Sequence, residues 1–307
     1  MIVILSLNTA VDRVVRIPGF EAGHVYRAED AESHAGGKGL NVARALRRLG
    51  EPVRVVGFLG GAPRDFIVRR CTELGVEQRW VEIEGETRTC VIVVDPSSEA
   101  QTVVNEPGPV VGEEELVRLR EELKRSTAPG DLLCISGSAP RGVPDDCYVH
   151  IIRDLQPRDV RVLADISGKV LRLALEAHPW ALAPNYEETV AAFARKGSAV
   201  EMAELLTEYT EHVLLTLGRE GVLYASRDGA WRLRPPDVPT VNAVGSGDAF
   251  AAGFLAGIAR RLDPLDAVRL GVACGASNAS RLEPNIGPIG EIEELAEKVS
   301  VEQVSSM

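Results

Sequence analysis

The sequence predicts an α/β fold, a largely parallel sheet covered by helices on both faces, and three observations carry the prediction. Short apolar runs alternate with helical patterns along most of the 307 residues. The runs are continuously apolar, as strands buried on both faces must be. Two of the helical patterns begin directly after glycine-rich turns, where a parallel α/β sheet places its ligand sites.

The first run, Ile2-Val3-Ile4-Leu5, reads as a buried strand. Val42, Ala45, Leu46 and Leu49 then share one helix face before Gly50, which suits a C-cap. Val53 to Gly57 is the next strand, and Glu113 to Ser126 a helix running from acidic to basic, matched to its macrodipole. Asp131 to Ile135, Val160 to Ala164 and His212 to Thr216 supply further strands, with a helix over Ala199 to Tyr209. Two stretches break the alternation. Asp12 to Arg27 and Thr87 to Asn105 carry alternating or β-branched residues with no long helix before the next strand. They predict a small second sheet inserted twice, a lid formed by about residues 11-33 and 87-108 of one domain spanning 1-307.

Composition bounds the partners. With 26% charged and 45% hydrophobic residues the chain can bury a large core. Its formal net charge of −11 argues against nucleic acid and anionic membrane surfaces, so an anionic ligand needs a local positive site. The five cysteines, at 71, 90, 134, 147 and 274, form no CxxC pair and no zinc spacing with the histidines. They read as buried thiols of a reducing, cytoplasmic protein. Met1 to Leu7 lacks the basic region and cleavage site of a secretion signal, and the apolar run Ala249 to Ala259 is too short to span a bilayer.

Two segments carry chemistry. In Asn242-Ala243-Val244-Gly245-Ser246-Gly247-Asp248, glycines stand before a helix of small residues, so backbone N–H groups converge at a helix start. Such a nest binds a phosphate or a developing oxyanion, and Asp248 at its mouth can take a proton from an attacking hydroxyl. Taken alone, the segment reads more readily as a capped helix after a tight turn, so the reading depends on independent segments agreeing. The second segment, His34-Ala35-Gly36-Gly37-Lys38-Gly39-Leu40-Asn41, also runs into a helix and offers a cation and an amide to sugar hydroxyls or a second phosphate. It is not a Walker A loop, since Gly39 follows Lys38. No GxGxxG fingerprint, GxSxG elbow or HExxH helix is present, which weakens dehydrogenase, hydrolase and zinc-protease readings.

With these segments the chain resembles the ribokinase/PfkB superfamily of sugar kinases, in its phosphosugar branch of 1-phosphofructokinase and tagatose-6-phosphate kinase. The resemblance spans nearly the whole chain. It rests on Leu7 to Asp12, Gly36 to Ala43, Thr87-Arg88, Asn105 to Pro109, Ser136 to Gly142, Pro184 to Glu188, Thr216 to Gly221 and the Gly245 to Asp248 nest, in family order. It implies a ribokinase-like three-layer sandwich with a β-sheet lid, ATP and Mg2+, and a homodimer paired through the lid. Asp248 would be the catalytic base, and Gly245, Ser246 and Gly247 the anion hole. Asp12, Gly37, Lys38, Asn41, Arg88 and Ser138 would hold the sugar, with Arg88 facing the phosphate already on it. Arg27, at the lid tip, is a second phosphate candidate and equally a solvated arginine. Asn185, Thr216, Gly218, Gly221 and Asn278 would line the nucleotide side, and Glu188 would order magnesium. Gly218 and Gly221 can also simply shape a hairpin.

Two positions depart from the family pattern: Ala183 stands where relatives often have lysine, and Gly-Ser-Gly-Asp replaces Gly-Ala-Gly-Asp. The first removes one cationic contact expected for the nucleotide phosphates. The expected reaction is ATP-dependent phosphorylation of fructose 1-phosphate, with tagatose 6-phosphate and fructose 6-phosphate as alternative acceptors. A noncatalytic sugar-phosphate sensor is the reading from another class, and it would have little use for Asp248, Glu188 and the nest together.

Overall fold

The computed structural model describes residues 1–28, 30–98 and 100–304. Fourteen strands follow one another in these residues: β1 Ile2–Ser6, β2 Ala10–Arg16, β3 Asp30–Gly36, β4 Val53–Leu59, β5 Glu77–Glu82, β6 Arg88–Asp95, β7 Ala100–Asn105, β8 Leu132–Ser136, β9 Arg161–Asp165, β10 Ala181–Leu182, β11 His212–Thr216, β12 Val222–Ser226, β13 Gly229–Arg234 and β14 Ser300–Val304. Ten of them form one sheet in the order β14-β13-β12-β11-β10-β9-β8-β1-β4-β5. From β5 to β11 every neighbouring pair is parallel, and β12, β13 and β14 extend the sheet as an antiparallel edge.

Successive residues of the buried strands face opposite layers, as the pleat requires. Ile2 and Ile4 enter one core with the helices Lys38–Arg48, Ser246–Ala259 and Pro264–Ala279, whereas Val3 and Leu5 enter another with Glu113–Ser126, Cys147–Leu155 and Ala199–Leu206. The result is the expected three-layer α/β sandwich. Ser246–Ala259 and Pro264–Ala279 touch through glycines: a Cβ on Gly253 would lie 2.7 Å from Gly271 Cα, and one on Gly257 2.7 Å from Ala267 Cα. Small residues in these helices are therefore a packing requirement.

The four remaining strands form the small sheet, β3-β2-β6-β7, in which β2 and β6 are parallel and the outer pairs antiparallel. Its two halves come from the two inserted stretches. The strand pattern of Asp12 to Arg27 ends early, at Arg16, because Pro18 and Gly19 (φ 64°) turn the chain there. The polar segment Asp30–Gly36 is a strand that periodicity does not reveal. The helix expected over Ala199 to Tyr209 stops at Leu206. Arg16 ties the small sheet to the main body through Glu283, at 3.3 Å. No helix among the described residues is long and apolar enough to cross a membrane.

Candidate active site

The site lies at the carboxyl ends of the parallel strands, where helix N-termini open toward a common cleft. Gly245 (φ 81°) is the N-cap of Ser246–Ala259, and its backbone is pressed against Pro284: a Cβ there would sit 2.9 Å from Pro284 Cβ. Only glycine meets both demands. Gly247, by contrast, faces open space and is exposed. The Ser246 N–H bonds to the Ala243 carbonyl at 3.1 Å, so the amides left for a ligand are those of the first helical turn beyond it, at Gly247 and Asp248. Asn278 lies buried behind this turn and donates to the Val244 carbonyl at 2.8 Å and to Ser246 Oγ at 3.1 Å. Its amide holds the nest in shape.

Asp248 is 5% exposed. Burial, with Asp165 adding a like charge, pushes its pKa up to about 7, against the pull of Lys38, Asn41 and Arg44. Asn41, one turn into the helix Lys38–Arg48, donates to Asp248 Oδ2 at 2.9 Å. Lys38 begins that helix after Gly37 (φ 89°), and its Nζ lies 3.2 and 3.3 Å from the two oxygens of Asp165. Burial lowers the lysine pKa, but Asp165, Asp248 and Glu188 hold it above its ordinary value. Asp165 also accepts from Ser136 Oγ at 2.7 Å. This carboxylate is the site residue that the motifs missed. The signal was an acid at the carboxyl end of the strand Val160 to Ala164.

Among the residues expected to hold the sugar, Asp12 lies across Gly36, where a Cβ would meet Asp12 Oδ2 at 1.9 Å. Burial raises its pKa, opposed by Arg44, Arg88 and the Gly37 amide. Arg88 opens β6 and donates to the carbonyls of Asn8 at 3.2 Å and Glu106 at 3.2 Å. Asn8 Nδ2 donates to Ser138 Oγ at 3.3 Å, while Asn8 Oδ1 is buried without a partner. Arg88 and Ser138 thus meet at Asn8. Arg27 is exposed between β2 and β3 and joins none of these contacts among the described residues.

The nucleotide-side candidates also cluster. Asn185 and Glu188 form a capping box: Asn185 Oδ1 accepts the Glu188 N–H at 2.7 Å, and Glu188 Oε2 accepts the Asn185 N–H at 3.0 Å. The backbone of Asn185 bridges to Thr216, whose N–H bonds to the Pro184 carbonyl at 3.0 Å. Gly218 and Gly221 lie in the turn from β11 into the antiparallel β12. A Cβ on Gly221 would collide with the Leu233 carbonyl at 2.0 Å, whereas Gly218 faces open space. Gly221 is needed by the hairpin itself, and Gly218 leaves room above it. Ala183 is buried, with no cation in its place.

A buried carboxylate at a helix-start nest, with a lysine beside it and a small sheet flanking the cleft, thus stands on a ribokinase-like fold. Comparison with known proteins gives the family. The profile of the pfkB family carbohydrate kinases matches residues 2–288, and the chain belongs to that family, whose members transfer a phosphoryl group to an alcohol. It is 33% identical over 284 residues, 91% of this chain and 92% of the relative, to 1-phosphofructokinase of Bacillus subtilis. Among solved structures it is similar to phosphofructokinase-2 of Escherichia coli in complex with fructose-6-phosphate. That match has a TM-score of 0.90 and 25% identity, covering 97% of this chain and 98% of the other. Ribokinase of Thermotoga maritima shares the fold, with a TM-score of 0.79 and 20% identity over 96% and 99% of the two chains.

Proposed function

We propose that this chain phosphorylates fructose 1-phosphate at its 6-hydroxyl, using ATP, to give fructose 1,6-bisphosphate. The observation that carries the mechanism is Asp248: a carboxylate buried at the mouth of an N–H nest, with its pKa pushed up to about 7. Asn41 aims one of its oxygens, and Asp248 takes the proton as the sugar oxygen attacks the γ-phosphorus. The amides of Gly247 and Asp248, with Lys38, stabilise charge on the equatorial oxygens of the transferring group. Asp12 and Asn41 orient the sugar, and the Arg88 guanidinium, anchored through Nε and Nη1, turns Nη2 to its phosphate.

Glu188 fits a magnesium role. One oxygen is held by the capping box, the other is free, and magnesium favours one or two carboxylates beside retained waters and nucleotide phosphates. When bound, the ion neutralises phosphate charge. The choice of fructose 1-phosphate follows the name of the curated relative. Fructose 6-phosphate is the second reading, favoured by the likeness to the fructose-6-phosphate complex, and tagatose 6-phosphate is a third acceptor of the same outline. Cytoplasmic location agrees with five buried free thiols.

ADP release measured with each of the three sugar phosphates tests the proposal. The expected result is turnover highest with fructose 1-phosphate and reduced about a thousandfold or more in Asp248→Asn, with the fold unchanged. Near-normal turnover in Asp248→Asn would sink the base assignment. Tight sugar-phosphate binding without ADP release would identify a sensor instead.

A further inference from the structure

Arg44 lies one turn beyond Asn41 on the helix Lys38–Arg48, outside every segment that reads as a motif. Its guanidinium reaches three separate parts of the chain. Nη2 donates to the Ala35 carbonyl at 2.5 Å, where β3 leaves the small sheet for the glycine turn. Nη1 donates to the Pro284 carbonyl at 3.3 Å, in the loop packed behind Gly245, and to Asn41 Oδ1 at 3.4 Å. Asn41 in turn holds Asp248.

The charge matters as much as the contacts. Burial pulls the pKa of Arg44 down, and Asp12 and Asp248 are among the groups that hold it up. Around Asp248 the charged and titratable neighbours are Asp165, Lys38, Arg44 and the Cys134 thiol. Around Asp12 they are Arg44, Arg88, His34 and the Cys90 thiol. Arg44 is the cation common to both sets. Cys71 and Glu283 complete its own surroundings.

We propose that Arg44 is a positioning residue for phosphoryl transfer: its guanidinium clamps the small-sheet junction, Asn41 and the Pro284 loop into one frame, and supplies the positive charge that Asp12 and Asp248 share. The inference rests on Asp248 acting as the base. Arg44 touches no reacting atom. Its effect passes through the placement of Asn41 and the ionisation of the two carboxylates.

The test is the pH profile of turnover between about pH 6 and 9 for wild type, Arg44→Met and Arg44→Lys. In Arg44→Met the acid limb moves up by as much as about one unit, because an opposing charge that acts on Asp248 has gone. Ionisation alone then costs up to about fivefold near neutral pH, a deficit that shrinks as the pH rises. Arg44→Lys keeps the charge and loses the planar fork, so its acid limb stays in place while kcat/KM falls about tenfold. An acid limb in Arg44→Met that coincides with the wild type's overturns the inference. Should Arg44→Met not fold, Arg44→Lys decides alone, and an unchanged kcat/KM overturns it. An inactive wild type refutes the base assignment together with this inference, whereas an active wild type with an unmoved limb refutes the inference only.

Discussion

As the proposed base, Asp248 combines two requirements that oppose each other, since a base buried for reactivity is also a base that burial tends to protonate. In that role, a pKa pushed up to about 7 is expected to place the acid limb of turnover near neutrality, with rate rising as the carboxylate ionises. Asp165 contributes to that elevation as a like charge, so Asp165→Asn is expected to move the limb about one unit toward acid. A pH series of kcat checks this, and a limb displaced toward alkali contradicts it. Asp165 also anchors Lys38, so the same variant loses affinity for phosphate-bearing substrates. The sequence displayed Asp248, Lys38 and Asn41 through their glycine neighbours. Asp165 and Arg44 were harder to read for a physical reason: Asp165 is marked only by its place at a strand end and meets Lys38 127 residues away, while Arg44, besides its local contacts at Ala35 and Asn41, reaches Pro284 240 residues away.

Among the elements, five of the seven parallel strands were legible because burial on both faces writes a continuous apolar run, and Glu113–Ser126 because charge follows its dipole, whereas the mostly polar, part-exposed β5 and the two-residue β10 were not. β3 was not, since its residues are mostly polar and its pairing with β2 is all that makes it a strand. The antiparallel edge of β12, β13 and β14 likewise depends on tertiary pairing more than on periodicity. Helix Tyr186–Phe193 gives the sharpest prediction at this scale, because Glu188 is both its N3 capping residue and the proposed magnesium carboxylate. Glu188→Gln retains the cap and removes the charge, so its thermal stability stays close to wild type while the magnesium requirement rises. Glu188→Ala removes both, and costs about 1 kcal/mol of stability in addition. Thermal melts beside magnesium titrations of activity separate the two effects. Equal stability losses in both variants would show that the cap does not depend on the carboxylate's shape.

At the scale of the molecule, the −11 charge directed attention to local positive sites, and the structure gathers Lys38, Arg44 and Arg88 around one cleft. The small sheet leaves Val91 and its β7 partner Val104 exposed, together with the free edge of β7. Unpaired apolar edges favour association, and we expect a homodimer through this sheet. Light scattering over working concentrations checks it, with Val104→Glu expected to give monomers; a wild-type monomer throughout ends the expectation. The wiring of the site has a temporal consequence. Asn41 and Asp248 are 207 residues apart in sequence, and Arg44 and Pro284 are 240 apart. Contacts of that span close late when a chain collapses, after local helices have formed. On dilution from denaturant, helical signal should therefore return well before the first turnover, and activity becomes a clock for the final step of folding.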